Sequence, residues 1–362
     1  MSTRKAIKGL EERLKDGESI IVAEGYLFEF ERRGYLQAGA FVPEIVLEHP
    51  QIVRQLYEEF VHAGSDIVLA FTASVVDLEY TVGLNDIFLQ YYAHRQKLKL
   101  IGREDDLEKL NRKALKMARE VADETGTLMA ASLSKTMAFI ARDSEAIAET
   151  KKMFREQVQW AYEEGVDFMV GETLSDLEEA MYALEAIKEF GLPAVITLSS
   201  LGDTTRDNHP YTEALKKLED AGADAVGLNC IRGPATMLPL MKEIRDVCKG
   251  PLCALPVVYR TSPDLPSMQS LTGVGPGGSN IRYFDLPAWQ CSRTEIQEFA
   301  REARAIGIQY VGLCCGNASH YIREVAETLG RSPPASRYSP DMGARHDPTL
   351  LANQAETSLR KT

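Results

Sequence analysis

The chain has 362 residues, with 41 Lys and Arg against 53 Asp and Glu, and 44% hydrophobic residues. A net charge of −12 argues against nucleic acid or an anionic membrane as a partner and fits a solvated acidic surface. The start, Met1-Ser-Thr-Arg-Lys-Ala-Ile-Lys8, leads into no apolar core, and no run of about 18 apolar residues occurs anywhere. Six cysteines in so long a chain make no disulfide framework, so the expectation is a cytoplasmic protein with reduced thiols.

Taken in chain order, eight short apolar runs alternate with helix-length segments. The predicted strands are Ser19–Gly25, Asp66–Thr72, Leu128–Ser134, Phe168–Thr173, Pro193–Ser199, Ala225–Cys230, Leu252–Val258 and Tyr310–Gly316. They are nearly continuous in apolar residues, as expected where a parallel sheet is buried on both faces. Between them, Asp143–Gly165, Asp176–Gly191 and Thr294–Gly307 carry apolar residues at three- and four-residue spacing. Gly165-Val-Asp167, Gly222-Ala-Asp224 and Gly307-Ile-Gln309 each mark a helix that stops just before the next strand. Eight alternations without residues for a second domain predict a single-domain (β/α)8 TIM barrel over residues 8–330. A doubly wound sheet is the competitor, but no Gly-rich phosphate fingerprint follows the first strand.

Two connections are long, Ala73–Arg103 and Tyr259–Cys291. The second holds Gly273-Val-Gly-Pro-Gly-Gly278, which no strand feeds and no Gly-Lys-Ser follows. It reads as an active-site loop rather than a phosphate loop. Residues 331–362 turn Pro/Ser-rich and then polar, a tail expected to be partly disordered.

In a barrel of this kind, active sites form at the C-terminal ends of the strands. Cys230 closes Ala225-Val-Gly-Leu-Asn-Cys230, while Cys314 and Cys315 close Tyr310-Val-Gly-Leu-Cys-Cys315. Three thiolates brought to one point could hold a metal ion and leave one position open. Adjacent strand residues point to opposite faces, so the second cysteine of the pair needs a bend, at Gly316 or at the strand end. Spacing alone leaves two readings open, a metal site or small buried thiols. Cys248, Cys253 and Cys291 lack that strand-end placement and read as structural.

The pairing of Gly227-Leu-Asn-Cys230 with Gly312-Leu-Cys-Cys-Gly316 resembles the homocysteine S-methyltransferase family, most of all its betaine-using members. The likeness runs from about residue 8 to about 340 and includes Arg33-Gly-Tyr35, Glu48-His-Pro50 and Asp285-Leu-Pro287. It implies Zn²⁺ held by Cys230, Cys314 and Cys315, with Asn229 supporting the metal loop and homocysteine thiolate filling the open position. It implies an onium methyl donor and methionine as product. Glu172 matches the family's acid for the amino group of homocysteine. Glu24 and Gly25 stand where the family usually has Asp-Gly-Gly, a longer acid with one glycine lost. Tyr91 and Tyr92 match an aromatic pair that would enclose the donor, since a methylated onium group is held by aromatic faces.

Several departures bear on the donor. Phe41 stands in place of a tryptophan, Val42 in place of a threonine and Thr173 in place of a tyrosine. Glycine betaine and a sulfonium such as S-methylmethionine or dimethylsulfoniopropionate therefore both stay open, as does a zinc-binding barrel without activity. His320 is one step from the family's histidine, whose place Tyr321 takes, so no general base is assigned. Residues 73–90 interrupt the loop before Tyr91, either as a lid or as a translated intron. The sequence stops short of the helical arm with which the betaine enzymes grip a partner subunit, which leaves a smaller homodimer contact as the expectation.

Overall fold

The computed structural model describes residues 7–35, 45–72, 102–136, 138–271 and 283–341. Phe41, Val42, the 73–90 segment, Tyr91, Tyr92, the 273–278 glycines and residues 342–362 lie outside these ranges.

The eight strands are β1 (Ile20–Ala23), β2 (Ile67–Ala70), β3 (Leu128–Ser134), β4 (Phe168–Leu174), β5 (Ala194–Ser199), β6 (Ala225–Asn229), β7 (Leu252–Leu255) and β8 (Ile308–Leu313). All pairings are parallel, in the order β1-β8-β7-β6-β5-β4-β3-β2. Alternation with outer helices makes this the expected (β/α)8 barrel. Almost every strand residue is buried, because one face meets the barrel interior and the other meets helices. Helices show the complementary stripe: in Leu107–Thr125 the buried positions include Leu107, Leu110, Ala114, Leu115, Ala118, Val121 and Ala122. No helix among the described residues is long and apolar enough to cross a membrane.

The helix-ending glycines have the left-handed backbone their positions require, with φ of 77° at Gly165, 96° at Gly222 and 85° at Gly307. The aspartates two residues after Gly64, Gly165 and Gly222 do more than begin a strand. Asp66, Asp167 and Asp224 each accept the backbone N–H at or beside the start of the preceding strand, from Ile21, Met129 and Ala194, all at 2.7 Å. Each also meets a cation: Arg13 at 3.0 Å, Arg119 at 3.0 Å and Lys188 at 2.7 Å. This repeated clamp fastens the N-terminal face of the barrel and leaves the opposite face for chemistry.

The ring closes less tightly between β1 and β2, the two ends of the strand order. Asp66 bridges them at the base, its N–H donating to Ile21 O at 2.8 Å. Just past the strand ends, the Tyr26 ring meets Tyr57, Phe60 and Phe71 edge-on at 5.5, 5.3 and 6.0 Å. Aromatic packing thus supports a junction where the ladder is incomplete.

Candidate metal centre and substrate pocket

The interior face of the barrel can be read from one contact. Phe168 of β4 and Tyr310 of β8 lie on opposite sides of the ring, yet their side chains meet at 6.3 Å, so both point inward. Alternation then puts Val170 and Glu172 inward on β4, and Gly312 and Cys314 inward at the end of β8. Parallel register pairs Ile20 with Tyr310, which puts Val22 and Glu24 on the same face.

A turn resolves the problem of the adjacent cysteines. Asn317 N–H donates to Cys314 O at 3.0 Å, and Gly316 has φ 81°, the pattern of a type II turn with glycine at its third position. A Cβ on Gly316 would lie 2.5 Å from the Tyr259 hydroxyl, so space as well as backbone requires glycine. The turn ends strand alternation at Cys314 and lets Cys315 face the same point. Gly25 serves the same construction, since a Cβ there would lie 2.4 Å from Cys314 O. Asn317, fully buried, ties the two strand ends together by donating to Glu24 O at 3.0 Å.

Cys230 arrives by a more strained route. It and Ile231 are consecutive non-glycine residues with φ of 59° and 66°. Arg232 N–H reaches back to Cys230 O at 2.7 Å, forming a three-residue turn with positive φ at its centre. A β-branched residue there is rare, and such a conformation costs on the order of 1–3 kcal/mol per residue unless its surroundings enforce it. They do so here. Cys230 N–H donates to Leu255 O at 2.9 Å, Ile231 O accepts from Met268, and the Arg232 guanidinium donates to Ser200 O and Gly202 O.

The three sulfurs converge. Cys230 Sγ and Cys315 Sγ are 3.4 Å apart, Cys314 Sγ and Cys315 Sγ 3.9 Å, and all three lie within 4.8 Å of one another. Tetrahedral sulfur ligands at about 2.3 Å from Zn²⁺ sit roughly 3.8 Å apart, a spacing that the 3.4 and 3.9 Å separations bracket, so the donor set fits a thiophilic ion. Among the described residues, no other group of His, Cys, Asp or Glu side chains is arranged to hold a metal. Within the trio, contacts from Cys314 and Cys315 hold Cys230 well below the usual thiol range, while the other two thiols are pushed up. Cys248, Cys253 and Cys291 are free thiols outside this group, and burial raises each of them.

Two buried carboxyls face the trio. Glu172 is pushed up to about 7, chiefly by burial and partly by the charge of Cys230, against the opposing help of Ser132 and Glu24. Glu24 is raised further by burial, then by Glu172 and Cys230. Neither Glu24 oxygen has a hydrogen bond of normal geometry, although Asn229 and Cys314 stand near enough to ease its ionisation. Two acids this close in a dry site cannot both ionise cheaply, and they titrate as a unit. An incoming ammonium group would relieve that cost.

Asn229 reaches beyond the Cys230 turn. Its Oδ1 accepts from Thr173 N–H at 2.8 Å and from the Thr197 hydroxyl at 2.9 Å, and its Nδ2 donates to Thr173 Oγ1 at 2.8 Å. Those bonds hold Thr173 at φ 56°, where β4 gains one residue on β5 between Gly171 and Leu174. The bulge lies directly beside Glu172. Sequence reasoning also passed over a buried group at the β3–β4 rim. Thr136 donates twice to Glu179 Oε1, at 2.6 and 2.9 Å, Arg206 pairs with Asp176 at 2.7 Å, and burial pulls Lys135 down to about 8. Acids in the first turn of a helix are too common to have signalled it. His320 packs on Tyr321 at 4.0 Å and is lowered to about 4 by burial and by Arg293 and Arg323, while the Tyr321 hydroxyl donates to Cys291 O.

The sequence model described as homocysteine S-methyltransferase matches residues 25–329. Betaine–homocysteine S-methyltransferase 1 of Mus musculus is 35% identical over 364 residues, covering 95% of this chain and 81% of that protein. S-methylmethionine–homocysteine S-methyltransferase BHMT2 of the same organism is 35% identical over 356 residues, covering 92% and 86%. In fold, the chain is similar to the metallated form of the Escherichia coli homocysteine methyltransferase MmuM, with TM-score 0.62, 18% identity, and coverage of 86% of this chain and 97% of that one. A barrel with three convergent cysteines at the ends of β6 and β8, matched along most of its length, belongs to the homocysteine S-methyltransferase family, enzymes that pass a methyl group to homocysteine.

Proposed function

We propose that this enzyme moves a methyl group from a small onium donor, glycine betaine or a related betaine or sulfonium, to the thiolate of L-homocysteine, giving methionine. Zn²⁺ would be held by Cys230, Cys314 and Cys315, and there it would lower the thiol pKa of homocysteine while leaving the sulfur nucleophilic. The observation that carries this reading is the convergence of three buried sulfurs at 3.4 and 3.9 Å spacing. Glu24 and Glu172 take the ammonium group, and Gly25 lets the end of β1 approach the cysteine turn closely. The buried rim keeps water from the reacting sulfur. A sulfur–carbon bond forms as the donor's carbon–nitrogen or carbon–sulfur bond breaks, and the electron pair leaves on the donor heteroatom. Phe41, Tyr91 and Tyr92 are assigned to the donor's methyl groups.

A sulfonium donor is the second reading, favoured by the equal 35% identity to a betaine-dependent and an S-methylmethionine-dependent relative. The test is methionine formation from homocysteine with glycine betaine, S-methylmethionine and dimethylsulfoniopropionate in parallel, alongside zinc content. One zinc per chain and turnover of at least one donor are expected. Cys314→Ser should lose both, with metal affinity falling by more than the ~10–100-fold typical of changes outside the ligand shell. Full zinc occupancy in Cys314→Ser would overturn the metal assignment. A zinc-loaded wild type that makes no methionine from any donor would instead indicate an inactive barrel. The expected homodimer is checked by light scattering on the same preparation.

A further inference from the structure

We propose that Tyr310 is a positioning residue: its phenol, rising through the barrel interior beneath Glu24, donates a hydrogen bond to that carboxylate and sets it for the ammonium group of homocysteine. The inference rests on the homocysteine reading and goes beyond it to a residue outside the rim.

Tyr310 is fully buried and points inward against Phe168. Register aligns Ile20 with Tyr310, so Glu24 stands four residues further along the neighbouring strand, on the same interior face. That offset is about 13 Å along the strand, and an extended tyrosine side chain covers roughly half of it while the glutamate can hang down from above. Gly312, the next inward position on β8, presents no side chain, and Val22 packs into the space beside it, with its O and Cγ1 at 2.2 and 2.7 Å from where a Cβ would stand.

The hydrogen-bond inventory points the same way. The Tyr310 hydroxyl is buried without a hydrogen-bond partner, and neither Glu24 oxygen makes a hydrogen bond of normal geometry, although Asn229, Cys314 and Glu172 stand beside it. A buried phenol is a donor looking for an acceptor, and a buried carboxylate is the strongest acceptor a protein offers. After burial itself, the charge that acts most on the phenol is that of Glu24, ahead of Cys253 and Glu172. Turning the Glu24 side chain down toward the phenol would satisfy both groups at once. The bond would hold one oxygen downward and leave the other facing the pocket. Fixing that orientation before homocysteine arrives raises affinity for the amino group alone, because thiol and carboxylate are bound elsewhere.

The experiment uses zinc-loaded, full-length protein and the Tyr310→Phe variant, which keeps the ring and its contact with Phe168. Calorimetry measures the affinity of homocysteine and of 4-mercaptobutanoate, which has the same thiol and carboxylate but no amino group. The expected result is a homocysteine Kd weakened about 5–20-fold and a 4-mercaptobutanoate Kd changed less than about 2-fold, with zinc content and Tm preserved. Equal weakening of both thiols would reduce Tyr310 to general packing, and an unchanged homocysteine Kd would remove it from the site; either overturns the proposal. A wild type that binds neither thiol would overturn the homocysteine reading itself, and this inference with it. Wild-type binding of both, with no selective loss in the variant, leaves that reading standing and overturns only the role of Tyr310.

Discussion

At the scale of single residues, the site depends on side chains that hold backbone in unusual shapes. Asn229 is the clearest case, because it satisfies Thr173 twice and Thr197 once while directly preceding Cys230. Asn229→Ala should destabilise the protein by about 2–4 kcal/mol, since a buried N–H and a buried hydroxyl would lose their acceptor. It should also reduce homocysteine turnover, through release of the bulge beside Glu172. Denaturant unfolding and steady-state kinetics on one preparation check both, and a stable variant with full activity would refute the account. The convergence of the three cysteines was legible because thiols that close two barrel strands share one rim. Thr173, Cys230 and Ile231 were not legible as left-handed residues, because nothing in a threonine, a cysteine or an isoleucine announces positive φ. Only the surrounding tertiary hydrogen bonds enforce it.

At the scale of elements, the strands and helix ends could be read because their causes are local. Continuous apolar runs mark the strands, and glycine marks the helix stops at residues 165, 222 and 307. The predicted strands ran a residue or more long at several ends, as β1 and β2 show, since the apolar pattern continues into turns whose hydrogen bonds have already left the ladder. The start of helix Arg293–Ile306 carries the local signal most fully: Ser292 and Glu295 form a reciprocal cap, and Glu295 also pairs with Arg260 at 2.9 Å. Arg260 first, then the Ser292 bonds, hold Glu295 down at about 2. A carboxylate with a depressed folded-state pKa stabilises the fold above its unfolded value near 4.5 and loses that contribution as pH falls toward 2. Glu295→Gln should therefore be less stable than wild type at pH 7, by at most about 1 kcal/mol for a largely exposed group, and indistinguishable from it near pH 2. Chemical denaturation at the two pH values measures the gap; a gap that widens in acid would contradict the assignment.

At the scale of the whole molecule, the cysteine centre joins β6 to β8 across 85 residues of sequence. A metal bound there only in the folded state adds stability by mass action, about 2.7 kcal/mol at a free concentration 100 times Kd. Treatment with a strong chelator should lower the denaturation midpoint of the wild type and leave Cys314→Ser unmoved. Equal shifts in both would mean that the stabilising ion sits elsewhere. The barrel as a whole was legible from eight alternations, but its weakest junction was not, because closure depends on how β1 and β2 meet in space. That junction has a further consequence during synthesis. The first strand is hydrogen-bonded to the last, so a chain growing from its N-terminus can lay down β2 through β7 while β1 still has no ladder partner. Glu24 and the Cys314–Cys315 turn reach their places only when β8 leaves the ribosome, on the order of tens of seconds after β1 is made. Both halves of the pocket are thus completed in one closing event, and a chain interrupted before residue 308 has neither.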